Sequence, residues 1–564
     1  MIPATEHFAE PAASTPKRQD SGGGIRDVLL CLFPAAPAAA VPLTRGRRVL
    51  VGAAEVVAVI LGAVALLLRI PGIPSWDTVY AEDSFLYLPA ALQHPWHLFV
   101  AFDGYEELVP RLVAQFVTDL PLAYAAKGFA FSGALIAAAC ALFIFHASAG
   151  YIRSVTLRVL LAAAVILLSS APMEIADSGV NTIWYLLLAL FWAVLWRPRT
   201  RTGMAVAATV GFFAAASTSL VILFAPLLAI RVLVLRRPRD HAVTAGWMAG
   251  CLVQLRFVIG AALSGKSRLV GGGGPAFGRN NRLGNSITFY LHDVVLRSIG
   301  WHLSWWLESL TTRDWATLIV GVALAAVLGL IIATQPGARP FIVLALLTGF
   351  VFIMFAVFLD PWDVVFPVTF QNEVAARYTA LPIFLIEAAL IIGVDYALRK
   401  RRDSRPQRAI GQLNPVLALR PTLAVTVLLA FLAGNWIADF RYIGIRSGAA
   451  AHQWAPVVAE WQHGCKVSRT GEITPSMLGH TFTLACDRLR FLCPPRPSSP
   501  SIPGRGGTPS TPCQGLDFCR RTAQTTIPNG CGFLPHRARF DRPRGLGHRV
   551  QADNCDTGGH SHHG

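Results

Sequence analysis

Long apolar runs alternate with shorter polar segments along most of this chain. A transmembrane helix needs about 20 predominantly apolar residues, because each residue advances about 1.5 Å along the helix axis and the hydrocarbon core of a bilayer is about 30 Å thick. About 11 runs reach or approach this length, at about 49–68, 128–148, 155–172, 181–196, 204–217, 218–235, 242–262, 315–334, 340–359, 378–397 and 421–438. The pattern predicts an all-α, polytopic integral membrane protein with about 11 transmembrane helices.

The charges between the runs predict how the chain is oriented. Short loops that are rich in Lys and Arg stay in the cytoplasm. Basic clusters lie at 197–201, 236–239 and 399–408, and acidic loops lie at 77–119, 171–180 and 360–373. A cytoplasmic N-terminus puts every basic cluster inside and every acidic loop outside. The stretch 204–235 leaves two alternatives, one long bent helix or two short helices, and the downstream charges favour two.

Two outer loops are long enough to hold elements of their own, at 70–126 and 263–314. Within the first loop, 83–93 and 106–124 have the apolar spacing of helices. The stretch 286–310 in the second loop carries three Trp residues, which favour the boundary between lipid and water. We therefore expect interfacial helices in both loops rather than a twelfth span.

The remaining segments differ from the membrane region in composition. The sequence predicts a disordered cytoplasmic arm at 1–44 and a transmembrane domain at 45–439. It also predicts a small outer segment at 440–490 and a disordered low-complexity tail at 491–564. The tail is rich in Gly and Pro, and a frame-shifted or mis-called gene end would explain its unlike composition. Cys465 and Cys486 flank the outer segment, where a disulfide would persist. Two unpaired thiols are the alternative.

The composition excludes several classes of protein. Hydrophobic residues make up 54% of the 564 residues and charged residues only 14%, with a mean hydropathy of +0.49. Soluble domains carry about 25% charged residues, so a soluble enzyme, a disordered protein and a fibrous protein are all excluded. The net charge of +17 does not indicate a nucleic-acid partner, because much of it flanks apolar runs and no nucleic-acid-binding motif accompanies it.

Carboxylates at the membrane surface are the first candidates for chemistry. Glu82 and Asp83 follow the first predicted span within the segment Trp76–Ser84. A carboxylate there is costly unless it is solvated, paired or used. Neighbouring residues on a helix point about 100° apart, so one of the two could act as a base or metal ligand while the other orients a neighbour. A solvated acidic loop is the alternative.

Further charged residues are predicted at the same face. Glu174 and Asp177 form a secondary acidic loop, and Arg111 and Arg377 lie in or beside outer loops. Arg256 lies inside a predicted span, where a charged side chain costs free energy. An arginine at such a position is by default a candidate functional residue. Carboxylates together with arginines suit transfer chemistry on a lipid that bears a phosphate, because arginine binds phosphate oxygens in pairs. Membrane lipid is thus an expected partner.

The outer motifs resemble those of the multi-pass GT-C glycosyltransferase superfamily, in particular its uncharacterised actinobacterial members. The motifs are Ala81–Ser84, Gly104–Tyr105, Pro110–Arg111, Asn181 with Trp184, and Arg377–Tyr378. The resemblance implies transfer of a hexose or pentose from a polyprenyl-phosphate donor at the outer face of a bacterial plasma membrane. It also implies that an acid of the first outer loop is the base or a metal ligand. By position this acid is Glu82 or Asp83, and a divalent cation at Asp83 stays an open alternative.

The expected mechanism is an inverting displacement. Asp83 or Glu82 would activate an acceptor hydroxyl, and Arg111, Arg377 or both would stabilise the departing polyprenyl phosphate. A transporter or flippase of a lipid-linked or small polar substrate is the main alternative, and a scaffold without chemistry is another. A transporter typically carries ionisable residues near mid-span and inverted repeats. The acids of this chain lie mainly in loops and no repeat is found, which favours the enzyme.

Overall fold

A computed structural model describes most of the membrane region of the chain. The described residues are 25–35, 44–69, 74–80, 82–100, 105–168, 178–263, 282–359, 376–408, 415–440, 451–477 and 480–489. The chain divides into two units, 1–494 and 495–564, and all of the described residues lie in the first. The predicted low-complexity tail 491–564 and the secondary acidic pair Glu174 and Asp177 lie outside the described residues.

Helices dominate the described part of the chain. They are α1 Ile25–Leu30, α2 Arg45–Leu67, α3 Leu88–Gln93, α4 Leu108–Thr118, α5 Ala125–Ala147, α6 Val155–Leu167, α7 Thr182–Leu195, α8 Arg201–Ser217, α9 Ala225–Val234, α10 Ala242–Leu263, α11 Arg282–Phe289, α12 Trp301–Leu310, α13 Arg313–Thr334, α14 Arg339–Leu359, α15 Ala376–Arg408, α16 Pro415–Ala438 and α17 Trp454–Val467. Short strands are β1 Thr78–Tyr80, β2 Ala451–Gln453, β3 Glu472–Ile473, β4 Ser476–Met477, β5 His480–Thr481 and β6 Leu484–Ala485. The described part of the chain is thus mostly helical, as the all-α class predicts, and six short strands accompany the helices.

Each predicted apolar run contains a helix, but the helices differ in length. Within the described ranges, six helices are long and apolar enough to cross a membrane, namely α2, α5, α10, α13, α14 and α15. Shorter apolar helices include α6, α7 and α9. The molecule therefore has membrane-spanning helices by length and composition, while the count of about 11 stays a prediction.

Polar contacts gather the helix ends into two groups, which we call the basic end and the acidic end. At the basic end, the buried Arg231 guanidinium of α9 donates to the carbonyls of Val194, Trp196 and Asp240. Asp395 near the middle of α15 accepts from the Arg153 amide before α6. The acidic end contains the pairs Glu82–Arg377 and Glu106–Arg111. Loops that the charge pattern predicts on one side of the membrane thus meet at one end of the bundle.

The stretch 204–235 forms two helices, which is the alternative that the downstream charges favoured. Helix α8 ends at Ser217, and Thr218 is extended, with φ −159° and ψ 141°. A 3-10 turn, Ser219–Phe224, and α9 then lead back towards the basic end. Helices α8 and α10 pack very closely, because a Cβ atom on Gly246 would clash with the carbonyl oxygen of Ala208.

Part of the N-terminal arm is structured, in contrast to the expected disorder of 1–44. Residues 25–35 form α1 and a turn, and Phe33 is buried beneath the guanidinium of Arg231, 5.7 Å from its ring centroid. The Tyr151 hydroxyl donates to the Leu32 carbonyl. The reason is local, since the apolar stretch 28–33 offers side chains that the basic end can bury.

The stretch 286–310 combines a buried charge with exposed tryptophans. Arg297 is buried and lies 3.0 Å from Glu308, while Trp305 and Trp306 of α12 are exposed. Asp439, at the end of α16, accepts from the Trp301 amide at 2.7 Å and caps α12. The interfacial location of this stretch stays a prediction.

Strand β2 and α17 pack onto the segment between α2 and α5. Strand β2 pairs antiparallel with β1, so that Val79 faces His452 across the pair. The Trp454 indole donates to the Leu122 carbonyl at 2.7 Å. A disulfide joins Cys465 and Cys486, with their Cα atoms 5.5 Å apart. These contacts fix β1, the strand that leads directly towards the candidate acids.

Candidate functional site

Asp83 is a buried anchor between two loops that the sequence predicts on the outer face. It begins a π-helical turn, Asp83–Tyr87, and its side chain is only 1% exposed. The carboxylate accepts hydrogen bonds from the Ser178 hydroxyl at 2.9 Å and from the amides of Gly179 and Val180 at 2.8 and 2.9 Å. A Cβ atom on Gly179 would lie 2.9 Å from Oδ1, so glycine permits this close approach. Both carboxylate oxygens therefore hold the second loop in place.

The loop that Asp83 holds leads into a pair of packed aromatic side chains, Trp184 and Tyr378. The side-chain amide nitrogen of Asn181, Nδ2, donates to the Ser178 hydroxyl at 3.4 Å. The Trp184 indole donates to Asn181 Oδ1 at 3.2 Å. The Trp184 ring meets the Tyr378 ring edge-on at 5.3 Å. Motif residues from two distant segments are thereby brought together beside Arg377.

Glu82 and Arg377 form the partly exposed pair of the site. Glu82 Oε1 lies 3.9 Å from Arg377 Nη1, and the two side chains are 23% and 24% exposed. Arg377 also lies over the ring of Tyr378, at 5.4 Å from the centroid. The sequence predicted the two residues separately, and the fold brings them within ion-pair distance.

Arg111 is paired beneath this surface. Its Nε lies 3.3 Å from Oε1 of the buried Glu106, and its guanidinium lies 5.7 Å from the ring of Tyr87. Gln254 of α10 accepts from the Glu106 amide at 2.9 Å and donates to its carbonyl at 2.7 Å. Burial raises the pKa of Glu106 to about 7, although the charge of Arg111 opposes the shift. The guanidinium group of Arg111 is thus paired with a carboxyl group of the protein itself.

Glu107 is a further deeply buried acid of the site. It is 2% exposed, and its Oε2 atom has no hydrogen-bond partner among the residues that the structure describes. Burial and the charge of Glu82 raise the pKa of Glu107 to about 8, while the charges of Arg111 and Arg377 act in the opposite direction. At neutral pH this carboxyl group is mainly protonated.

Sequence reasoning missed Glu106 and Glu107 as functional candidates. They were treated only as the start of an interfacial helix, where acids are favourable and commonplace. One signal was available, because two adjacent acids stand directly before the apolar helix Leu108–Thr118. Such acids become buried when the helix packs inward.

Arg256 is not among the residues that the fold brings together here. On α10 it is exposed, whereas Gln254 is buried against Glu106. Residues two positions apart on a helix point about 200° apart, so Arg256 faces away from the cluster. Its guanidinium lies 5.9 Å from the ring centroid of Phe257.

The described side chains do not fit the divalent cation that was left open. Within the described ranges, no three His, Cys, Asp or Glu side chains come together in an arrangement that could hold a metal ion. Asp83 uses both oxygens to accept hydrogen bonds from the second loop.

The fold and the site define a polytopic helical protein with an acid–arginine cluster at one end of its helix bundle. Among the residues that the structure describes, this cluster contains Glu82, Asp83, Glu106, Glu107, Arg111 and Arg377. Comparison of the chain with protein-family models, with curated proteins and with solved structures finds no match.

Proposed function

We propose that this protein is a GT-C-like glycosyltransferase that transfers a sugar from a polyprenyl-phosphate donor. The observation that carries the proposal is the Glu82–Arg377 pair, a partly exposed acid and arginine 3.9 Å apart. Such a pair offers a proton acceptor and a phosphate-binding group at one site.

In this mechanism Glu82 takes the proton from the acceptor hydroxyl. The substrates enter between Glu82 and Arg377 and separate the pair, because an inverting displacement needs the base and the phosphate-binding group on opposite faces of the sugar. The hydroxyl oxygen then attacks the anomeric carbon, and the bond from that carbon to the phosphate oxygen breaks with inversion. Arg377 neutralises the charge that develops on the departing polyprenyl phosphate. A general base contributes about a hundredfold to ten-thousandfold in rate.

Asp83 takes a different role from the one that the sequence left open. Because its oxygens already accept three hydrogen bonds, it is a positioning residue that holds the loop Ser178–Val180. Arg111 is 5% exposed and paired with Glu106. Arg377 is therefore better suited than Arg111 to meet a lipid phosphate.

The proposal includes a topology. The protein crosses a bacterial plasma membrane about 11 times, its N-terminus is cytoplasmic, and its acidic end faces outwards. Support comes from six apolar helices of spanning length. It also comes from the arginine-rich loops at the basic end, since such loops stay in the cytoplasm.

A donor panel tests the activity. Purified protein is mixed with polyprenyl-phosphate-linked hexoses and pentoses, and release of polyprenyl phosphate is followed by chromatography. Wild-type protein should consume at least one donor in the presence of acceptor lipids extracted from bacterial envelopes. Arg377→Lys should consume it more slowly, because lysine lacks the planar fork that grips two phosphate oxygens. Consumption of no donor by wild-type protein would contradict the proposal.

A transporter or flippase remains the second candidate, and one buried residue favours it. Glu387 lies near the middle of the span Arg377–Arg399, is 3% exposed, and accepts from the Trp436 indole at 3.3 Å. Ionisable residues at such depth often mark transport pathways. Glu387 is an exception to the expectation that the acids lie in loops. Loss of lipid flipping in Glu387→Gln liposomes, with donor consumption absent in wild-type protein, would favour this candidate.

A further inference from the structure

Arg377 lies against an aromatic ring as well as beside a carboxylate. Its Nη1 is 3.9 Å from Glu82 Oε1, and its Cζ is 5.4 Å from the centroid of the Tyr378 ring. A cation within about 6 Å of a ring centroid is attracted to the face of the ring. The contact with Tyr378 does not depend on Glu82, so it can still hold the guanidinium group after substrates have separated the ion pair.

The ring of Tyr378 is itself supported by a buried tryptophan. The centroids of the Trp184 and Tyr378 rings are 5.3 Å apart and their planes meet at 80°. This edge-to-face arrangement is one that aromatic pairs prefer. Trp184 is only 4% exposed, and its ring also meets that of Phe352, at 6.4 Å. Trp184 thus limits the movement of the ring that lies against Arg377.

An asparagine orients the tryptophan. Asn181 stands at the N-cap of α7, where an asparagine side chain ordinarily accepts a hydrogen bond from a backbone amide of the first turn. Here the side chain makes no capping bond. Its Oδ1 accepts from the Trp184 indole at 3.2 Å, and its Nδ2 donates to the Ser178 hydroxyl at 3.4 Å. The side chain is therefore used to orient the indole and not to cap the helix.

The same series of contacts leads back to the other member of the ion pair. The Ser178 hydroxyl donates to the Asp83 carboxylate at 2.9 Å, and Asp83 directly follows Glu82 in the chain. One continuous framework of side chains consequently backs both charged groups. Its members are Asp83, Ser178, Asn181, Trp184 and Tyr378.

We propose that Trp184 and Asn181 are positioning residues for Arg377. Asn181 orients Trp184, and Trp184 holds the Tyr378 ring, so that the guanidinium group keeps its place for a phosphate once Glu82 has been displaced. Orientation matters because the planar fork of arginine grips two phosphate oxygens in one geometry. This role rests on the proposed function, since the phosphate is the one that the donor carries.

Calorimetric titration of the purified full chain in detergent tests the role. The probe is geranyl phosphate, which carries a lipid phosphate on a short chain. Trp184→Phe keeps an aromatic ring but removes the indole N–H and part of the ring system. The Kd of this variant should rise by about two- to tenfold, the range that an aromatic pair is worth in an equilibrium constant. An unchanged Kd would overturn the proposal.

Asn181→Ala provides a second, smaller change. It leaves the indole in place without its acceptor, so the Kd should rise by less than in Trp184→Phe. Adding Asn181→Ala to Trp184→Phe should raise the Kd no further, because phenylalanine has no N–H for Asn181 to accept. An additive rise in the double variant would overturn the role of Asn181.

Trp192 provides a matched control on the same helix. It lies eight residues beyond Trp184, about 12 Å further along the axis of α7, and it is fully buried against Tyr151 and Phe341. Trp192→Phe removes the same atoms from the same helix and should lower the stability, yet it should leave the Kd for geranyl phosphate unchanged. An equal rise of the Kd in Trp184→Phe and Trp192→Phe would overturn the proposal, because loss of packing alone would then explain it.

A lysine at position 377 tests whether Trp184 acts through the guanidinium group. Lysine has no planar fork that needs a fixed orientation. Trp184→Phe should therefore change the Kd of the Arg377→Lys protein by less than about twofold. A rise as large as in the wild-type background would show that Trp184 acts by another route and would overturn the proposal.

Failure of this role and failure of the proposed function give different results. An unchanged Kd in Trp184→Phe, in a protein whose wild type consumes a donor, would overturn only the positioning role. The expected pattern of Kd values in a protein that consumes no donor would contradict only the proposed function. Absence of geranyl phosphate binding by the wild type would overturn the positioning role together with the assignment of Arg377 to the phosphate.

Discussion

Replacing Asp83 by asparagine is the perturbation that most clearly separates a positioning residue from a base. The amide has nearly the same shape as the carboxylate, but it has one acceptor oxygen instead of two. In the native protein the Ser178 hydroxyl and the Gly179 backbone amide both donate to Oδ2. In the best orientation of the asparagine, its oxygen takes the place of Oδ2 and keeps these two hydrogen bonds. The new amino group then faces the Val180 amide, which donates to Oδ1 in the native protein.

The cost can be worked out from these three contacts. A hydrogen bond to a charged group is worth about 1.5–3 kcal/mol, and a buried donor left without an acceptor costs about 1–3 kcal/mol. Losing one such bond and weakening two others should lower the free energy of unfolding by about 2–4 kcal/mol. Glu82→Gln removes only a partly exposed pair, which is worth under about 1 kcal/mol.

The free energy of unfolding in mixed micelles, measured by titration with a denaturing detergent, decides between the two roles. Asp83→Asn should be clearly less stable than Glu82→Gln. A double-mutant cycle with Ser178→Ala should give a coupling energy of about 1 kcal/mol, since the two side chains share one hydrogen bond of 2.9 Å. Equal stability of the two single variants, with no coupling to Ser178, would refute the anchoring role.

Three further predictions concern stability and topology. Cys465→Ser should lower the free energy of unfolding by about 3 kcal/mol, because the bridge closes a loop with a sequence separation of 21; an unchanged gel mobility of wild-type protein on reduction would argue against the bridge. Burial raises the pKa of Glu107 from 4.5 to about 8, so its contribution to stability is complete below about pH 4.5 and is lost as the pH rises through about 8. The thermal midpoint of wild-type protein should therefore fall more steeply between about pH 5 and about pH 9 than that of Glu107→Gln, and parallel curves would contradict the shift. A cysteine at Asp119 should react with an impermeant thiol reagent added to intact cells, and one at Arg199 should react only after lysis; the opposite pattern would invert the topology.

Much of the fold follows from hydropathy, because a helix of spanning length must be apolar along its whole length. The apolar runs were predictable on that basis, whereas the charges of the downstream loops predicted the two-helix arrangement of 204–235. The docking of residues 25–35 was not, since the surrounding arm is rich in Ala, Pro and Gly. Only the fold reveals that the basic end offers a place to bury Phe33.

The candidate site was predictable in its residue types but not in its roles. Glu82 and Arg377 stand almost 300 residues apart in sequence, and only tertiary packing brings them within 3.9 Å. The role of Asp83 depends on backbone amides of the loop at 178–180, which no side-chain pattern can predict. Glu107 looked like an ordinary acid at a helix N-terminus until its burial was known.

Single-turnover transfer by purified protein tests the central claim most directly. The release of polyprenyl phosphate from a sugar-linked donor would be timed with protein in excess, for wild type, Glu82→Gln and the exposed control Asp119→Asn. The account predicts that Asp119→Asn matches wild type and that Glu82→Gln is slower by about a hundredfold to ten-thousandfold, the usual contribution of a general base. A Glu82→Gln rate within two- or threefold of wild type would show that Glu82 is not the base and would contradict the account.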